Sequence, residues 1–361
     1  MHSSTSSFER VQPAMPWLRV LGFAFLVLAA TIAFMEWRLN ELGYRPTQLN
    51  SEAKWAAERA RANKLGKNAL ILVGQSRILL DVDLDALREA SGMEPVQLAI
   101  DGNAPFDILR GLATDPGITG TIVVDYYDYT VGASGEASTQ YQKYFEAHGR
   151  QTPLDAPNIW SENALESQLH QQLSSYADGA NPFDSLSNRI LQGKKAEQFL
   201  MTLPDRSVAA DYEKVKMPDY YYNKVAEGLG LHFDKLPPDI DAVLSKKADT
   251  MSSMNNLPGV PALFAGKVNE TKVVVEALKK HGAKVIFAAM PTSGLVTRIQ
   301  NLQFPKSDFF DRFAAVVDAP SFRTDDEAMF AGFHCPDGSH LDYRDKPRFT
   351  RLLAKRLSMI P

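Results

Sequence analysis

Ser76, Asp337 and His340 have the residue types from which an activated alcohol is built. A histidine beside a serine hydroxyl takes its proton as the oxygen attacks an acyl carbon. A carboxylate beside the histidine sets the imidazole tautomer and stabilises its charged form. Ser76 ends the run Leu72-Val73-Gly74-Gln75-Ser76, directly after an apolar stretch with the length of a buried strand. Asp337 and His340 stand far along the chain, in Cys335-Pro336-Asp337-Gly338-Ser339-His340, just before the last expected helix. Chain order does not matter to this chemistry, because folding brings the groups together. Each motif also has a plainer reading, since Gly and Ser suit turns and Asp337 can cap one. The combination, with a βαβ pattern between its parts, points to a triad.

The elements that must position these residues follow from the pattern. Strands are expected at 69–74, 95–100 (PVQLAI), 120–125 (GTIVVD) and 284–290 (KVIFAAM), with a fifth, short one within 313–319. Helices are expected from Asp81 or Asp83 through Ala90, ended by Gly92, and from Pro105 with Ile108, Leu109, Leu112 and Ala113 on one face. Two more are expected at 267–281, stopped by Gly282, and at 344–359. Strands alternating with helices predict a three-layer α/β/α parallel sheet, with sites beyond the carboxyl ends of its strands. Ser76, Gly102 and Asp125 all fall at such ends. Residues 126–263, rich in Tyr, Pro, Ser and Asn, break the rhythm and read as a long insertion.

The front of the chain predicts a membrane anchor. Residues 17–35 are almost continuously apolar, with Arg19 the one charge near an end and Trp17 and Trp37 flanking. That is the lower edge of the ~20 residues needed to cross a bilayer. A cleavable signal peptide is the rival reading, but Thr31-Ile32-Ala33 is a poor cleavage site. The flanking arginines nearly balance, so a cytoplasmic N-terminus is taken by default. The expected organisation is a cytoplasmic tail at 1–16, an anchor at 17–38, a stalk helix at 39–67 with a solvated charged face, and an α/β domain at 68–361 with its insertion at about 126–263. The net charge of −4 gives no support to nucleic-acid binding. One cysteine, Cys335, excludes an intrachain disulfide, and its plain role is a small buried hydrophobe. There is no HExxH, CxxC or glycine-rich phosphate loop, so neither a metal nor a cofactor is expected.

Gly74-Gln75-Ser76 after the first strand and Asp337-Gly338-Ser339-His340 before the last helix resemble the first and last blocks of the SGNH, or GDSL-like, hydrolase superfamily. The resemblance covers roughly 70–125 and 268–357. It implies a flavodoxin-like layered fold with Ser76 as nucleophile, His340 as base and Asp337 as its orienting carboxylate. It also implies an oxyanion hole from the Ser76 N–H and Gly102, whose place matches the family's glycine after the second strand. The chain departs from the pattern twice. Gln75 stands where Asp is usual, and Val123-Val124-Asp125-Tyr126-Tyr127 replaces the Gly-x-Asn-Asp motif after the third strand, so the oxyanion asparagine is missing. Asn103 is a candidate replacement on chemistry alone. Arg77 and His334, beside the triad residues, are candidate contacts for an anionic or sugar substrate, and the tyrosine clusters at 126–129 and 220–222 suit rim packing or sugar stacking.

With the anchor, the resemblance is to proteins that O-acetylate bacterial cell-surface polysaccharides. It implies a single-pass protein of the bacterial inner membrane whose domain faces the periplasm. A multi-span membrane O-acyltransferase would be its partner and a polysaccharide its substrate. The alternative is an inactive adaptor or polysaccharide-binding protein on the same fold, a reading favoured by the missing asparagine. A dinucleotide-binding protein has little support, because no Gly-x-Gly-x-x-Gly follows the first strand.

Overall fold

The computed structural model describes residues 16–102, 104–128, 139–149, 165, 168–254 and 260–361. The chain divides into two compact units, Met1–Pro46 with Leu173–Ala196, and Thr47–Gln172 with Glu197–Pro361.

The first unit is built on α1, Trp17–Glu41, one helix of 25 residues that is long and apolar enough to cross a membrane. Leu18, Phe23, Phe25 and Leu26 are exposed along it, whereas Met35 and Leu39 near its end are buried. Leu39, Leu42 and Tyr44 pack there with Ala177, Ile190 and Ala196. The Glu36 carboxylate accepts the backbone N–H groups of Ser174 at 2.6 Å and Ser175 at 3.0 Å. Arg189 stacks on the Tyr44 ring at 4.4 Å.

The second unit opens with α2, Glu52–Leu65, capped by the Ser51 hydroxyl. The solvated charged face expected here holds only in part: Lys64 and Lys67 are exposed, but Arg59 is not. Trp55, Arg59 and Ala62, spaced along one helical face, are buried. The Trp55 indole N–H donates to Leu98 O at 2.8 Å, and Arg59 donates to Asp115 at 2.8 Å. Its charges conceal the pattern, because an arginine paired with a carboxylate from another element can be buried.

In chain order the unit continues with β1 (Ala69–Val73), α3 (Ser76–Asp81), α4 (Leu84–Ser91), β2 (Glu94–Gln97), α5 (Pro105–Ala113) and β3 (Thr121–Asp125). After β3 come α6 (Thr139–Gly149), the antiparallel pair β4 (Leu200–Thr202) and β5 (Val208–Ala210), α7 (Asp219–Gly228), α8 (Ile240–Met254) and α9 (Val260–Lys280). The chain closes with β6 (Lys284–Ala289), α10 (Gly294–Gln303), α11 (Phe310–Val316), β7 (Ser321–Arg323) and α12 (Lys346–Ser358).

The main sheet has five strands in the order β2-β1-β3-β6-β7, with every neighbouring pair parallel. The β1 residues Ile71 and Val73 face one core with α5, α9 and α11, while Leu70 and Leu72 face another with α3, α4 and α12. Helices therefore cover both faces, the arrangement a fully buried parallel sheet requires. Connections run outward from β1 to β2 on one side and from β1's other neighbour, β3, on the other. The strand order reverses between β1 and β3, which is where ligands bind in open α/β sheets.

The fifth strand differs from expectation. Residues 310–316 form α11, because Phe310 and Phe313, three apart, bury one helical face against Tyr126 and Phe287. The strand itself is the three-residue β7. The helix expected from Asp81 or Asp83 to Gly92 is α4, with Asp83 as its cap, accepting the Ala86 N–H at 2.8 Å, and Gly92 ending it; α3, which carries Ser76, precedes it.

Candidate active site

Ser76 is the first residue of α3, one short turn beyond β1. Gly74 allows that turn to lie close against the neighbouring strand. A Cβ there would meet the Asp125 Cβ at 2.5 Å and Ile78 Cγ2 at 2.8 Å. Val73-Gly74-Gln75 therefore delivers Ser76 to the carboxyl edge of the sheet, at the strand-order reversal.

The other half of the site is a turn before α12. Asp337 Oδ1 accepts the N–H groups of Ser339 at 2.9 Å and His340 at 2.8 Å, closing an Asx-type turn. Gly338 within it has φ +85°, and a Cβ would meet Val296 Cγ2 at 2.4 Å. The Asp337 Oδ2 lies 2.7 Å from His340 Nδ1, and Ser76 Oγ lies 2.9 Å from His340 Nε2. With the imidazole proton on Nδ1 donated to Asp337, Nε2 is left to accept the serine hydroxyl. Folding thus brings residues 264 positions apart into one hydrogen-bonded line.

The surroundings are rich in buried carboxyls. Burial by itself pushes Asp337 up. The hydrogen bond and charge of His340, the Ser339 N–H and the Tyr212 hydroxyl outweigh it and bring the carboxyl down to about 2. Asp125, at the end of β3, is pushed up to about 7 by burial, against Arg77 and the backbone N–H groups of Gln75, Met290 and Ile78. Asp81 is raised well above the ordinary carboxylate range by burial; its Oδ1 accepts the Leu341 N–H at 2.8 Å, while Asp125 and Asp337 add like charge. Its other oxygen, Oδ1 of Asp125 and the amide nitrogen of Gln75 are buried without a partner among the described residues.

The remaining candidates fall in different places. Gly102 lies in the turn after β2, exposed, with φ +67°. Asn103 lies outside the described residues. His334 is exposed. Arg77 turns inward: it is 7% exposed, stacks on Tyr127 at 4.5 Å and donates to Gln300 at 3.3 Å. It is therefore a neutralising cation among buried acids rather than a side chain presented to solvent. Cys335 is buried, its thiol on Pro291 O at 3.4 Å, and burial drives it well above its ordinary range. Tyr126, in the place of the missing motif, donates to Asp128 at 2.7 Å in a buried pair.

Tyr212 and Asp81 are site residues that sequence reasoning missed. Tyr212 follows β5 inside the insertion, with no motif around it, and Asp81 reads as a helix cap. Only their contacts with Asp337 and Leu341 reveal them.

No protein-family model matches this chain, and no curated protein is significantly similar to it. The functional reading therefore rests on the residues and their geometry.

Proposed function

We propose that this chain is a membrane-anchored, SGNH-like serine acyltransferase or esterase acting on O-acyl groups of a cell-surface or exported polysaccharide. The observation that carries the reading is the continuous line Ser76 Oγ, His340 Nε2, His340 Nδ1, Asp337 Oδ2, with separations of 2.9 Å and 2.7 Å. Both fall within the reach a nucleophile, its base and the base's orienting group need.

In this reading His340 takes the Ser76 proton as Oγ adds to the carbonyl carbon of an acyl donor. The oxyanion accepts hydrogen bonds from the Ser76 and Gly102 N–H groups. The tetrahedral adduct expels the donor's alcohol, which takes the proton from His340, leaving an acyl-serine. A sugar hydroxyl, or water, then gives its proton to His340 and attacks the acyl carbon, restoring the Ser76 hydroxyl. The residues are the same for transfer and for hydrolysis, and only the acceptor differs. By the same resemblance, α1 holds the chain in a bacterial inner membrane, the catalytic unit faces the periplasm, and a multi-span O-acyltransferase supplies the acyl group.

The missing asparagine favours a second reading, a non-catalytic adaptor of a polysaccharide export or acetylation complex. A fluorophosphonate probe separates the two. Covalent labelling of the native protein that disappears in Ser76→Ala supports the enzyme; no labelling of a folded protein favours the adaptor.

A further inference from the structure

We propose that Leu173–Ala196 is a membrane foot, a segment that lies on the bilayer surface beside α1 and inserts apolar side chains among the lipid headgroups. The proposal rests on reading α1 as membrane-spanning and adds a second, peripheral attachment of the same unit.

The position of the segment follows from helix geometry. At ~1.5 Å per residue, the ~20 residues from Trp17 reach Glu36 after ~30 Å, the thickness of the hydrocarbon layer. Trp37, 57% exposed, comes next, its ring 5.8 Å from that of Phe34, an aromatic pair at the depth where such rings anchor helices. Glu36 is also where the segment is tied on, through the N–H groups of Ser174 and Ser175. Ala177, Ile190 and Ala196 then pack against Leu39, Leu42 and Tyr44. These contacts hold the segment within about two helical turns of the point where α1 leaves the hydrocarbon.

The surface of the segment fits that location. It contains a short helical stretch, Pro182–Asp184 continuing through Ser185–Ile190. Phe183 on this stretch is 76% exposed and Leu191 just after it is 75% exposed, more than any other large apolar side chain described outside α1. Lys194 and Lys195 follow, both exposed. Exposed apolar side chains are ordinary singly. Here one lies on a helical stretch and the other directly after it, two lysines follow, and the segment is tied to α1 at the level of the headgroups. Apolar anchors with adjoining cations are what an interfacial element requires.

The test uses the full wild-type chain, reconstituted in phosphatidylethanolamine and phosphatidylglycerol vesicles containing a lipid with a diazirine near its headgroup. After irradiation, mass spectrometry maps the adducts. Adducts are expected on α1 and on peptides spanning Phe183 to Leu191, several-fold above those on the exposed peptide carrying Asp318. Adducts on α1 alone overturn the foot and leave the anchor standing. Adducts on neither overturn both.

Discussion

The Asp125 side chain lies directly against Gly74, so close that a methyl group on that glycine would sit 2.5 Å from the Asp125 Cβ. The end of β3 and the turn that carries Ser76 are thereby locked together. The position of the nucleophile depends on the absence of one carbon atom and on a carboxyl buried beneath it.

Gly74→Ala is expected to displace the Ser76 turn or the end of β3, at a cost of about 1–3 kcal/mol. Because the displacement acts on the nucleophile, fluorophosphonate labelling should fall far more than stability does. A variant that labels at the wild-type rate would show that the close approach does not position Ser76.

Asp125 predicts a pH dependence of stability. Its value of about 7 in the folded protein lies above its ordinary carboxylate value. The stability contributed by its neutral form is therefore complete below the unfolded value near ~3.9 and lost as pH rises through about 7. The size is on the order of a few kcal/mol, and Asp81 acts in the same direction. Tm should fall from mildly acid to mildly alkaline pH, and Asp125→Asn should flatten that fall. Parallel profiles for the two proteins would contradict the assignment.

Asp337 works in the opposite sense. Held at about 2, it contributes stability that is present above its unfolded value and lost as pH falls through about 2. Asp337→Asn leaves the shape of the site but removes the acceptor that fixes the His340 tautomer. The labelling rate is expected to drop by about 10³–10⁴-fold with the fold retained. Tyr212→Phe, which removes a hydroxyl that donates to Asp337, should cost about 1 kcal/mol, or several-fold in rate. Labelling kinetics on both variants, with circular dichroism for the fold, would check this.

Arg59 is 2% exposed and its ion pair with Asp115 spans 2.8 Å. Asp115→Ala leaves a buried guanidinium without its carboxylate and should destabilise by about 3–5 kcal/mol. Double substitution of Arg59 and Asp115 by Met and Ala should recover part of the loss. Denaturant titration of the single variant giving a change below about 1 kcal/mol would mean that α2 is not held by this pair.

Much of the layered fold was legible because local signals agreed with it. The five-residue apolar run of β1, the Asp83 cap and the Gly92 stop each depend on neighbouring residues alone. The exceptions were decided by partners distant in sequence. Phe313 lies in the stretch read as a short strand, and it is helical because Tyr126 and Phe287 supply the surface that it and Phe310 cover. The charges of α2 read as solvated until Asp115 buries Arg59. Residues 173–196 fall within the stretch read as a long insertion, and only their contacts with Glu36 and Leu39 place them beside α1.

The chain by itself determined the residue types at the site: an alcohol after the first strand, an Asp-x-x-His before the last helix, and glycines at the two turns that carry them. It also determined an apolar helix at the front long enough to cross a bilayer, because length and composition are local properties. Tertiary structure alone decided that Ser76, His340 and Asp337 share a hydrogen-bonded line, that Tyr212 reaches Asp337, and that Arg77 faces inward to the buried carboxyls. Those outcomes depend on distances and on burial, and burial sets both the protonation of a carboxyl and the cost of leaving a charge unpaired. Such quantities exist only once the strands have been ordered and the two ends of the chain have met.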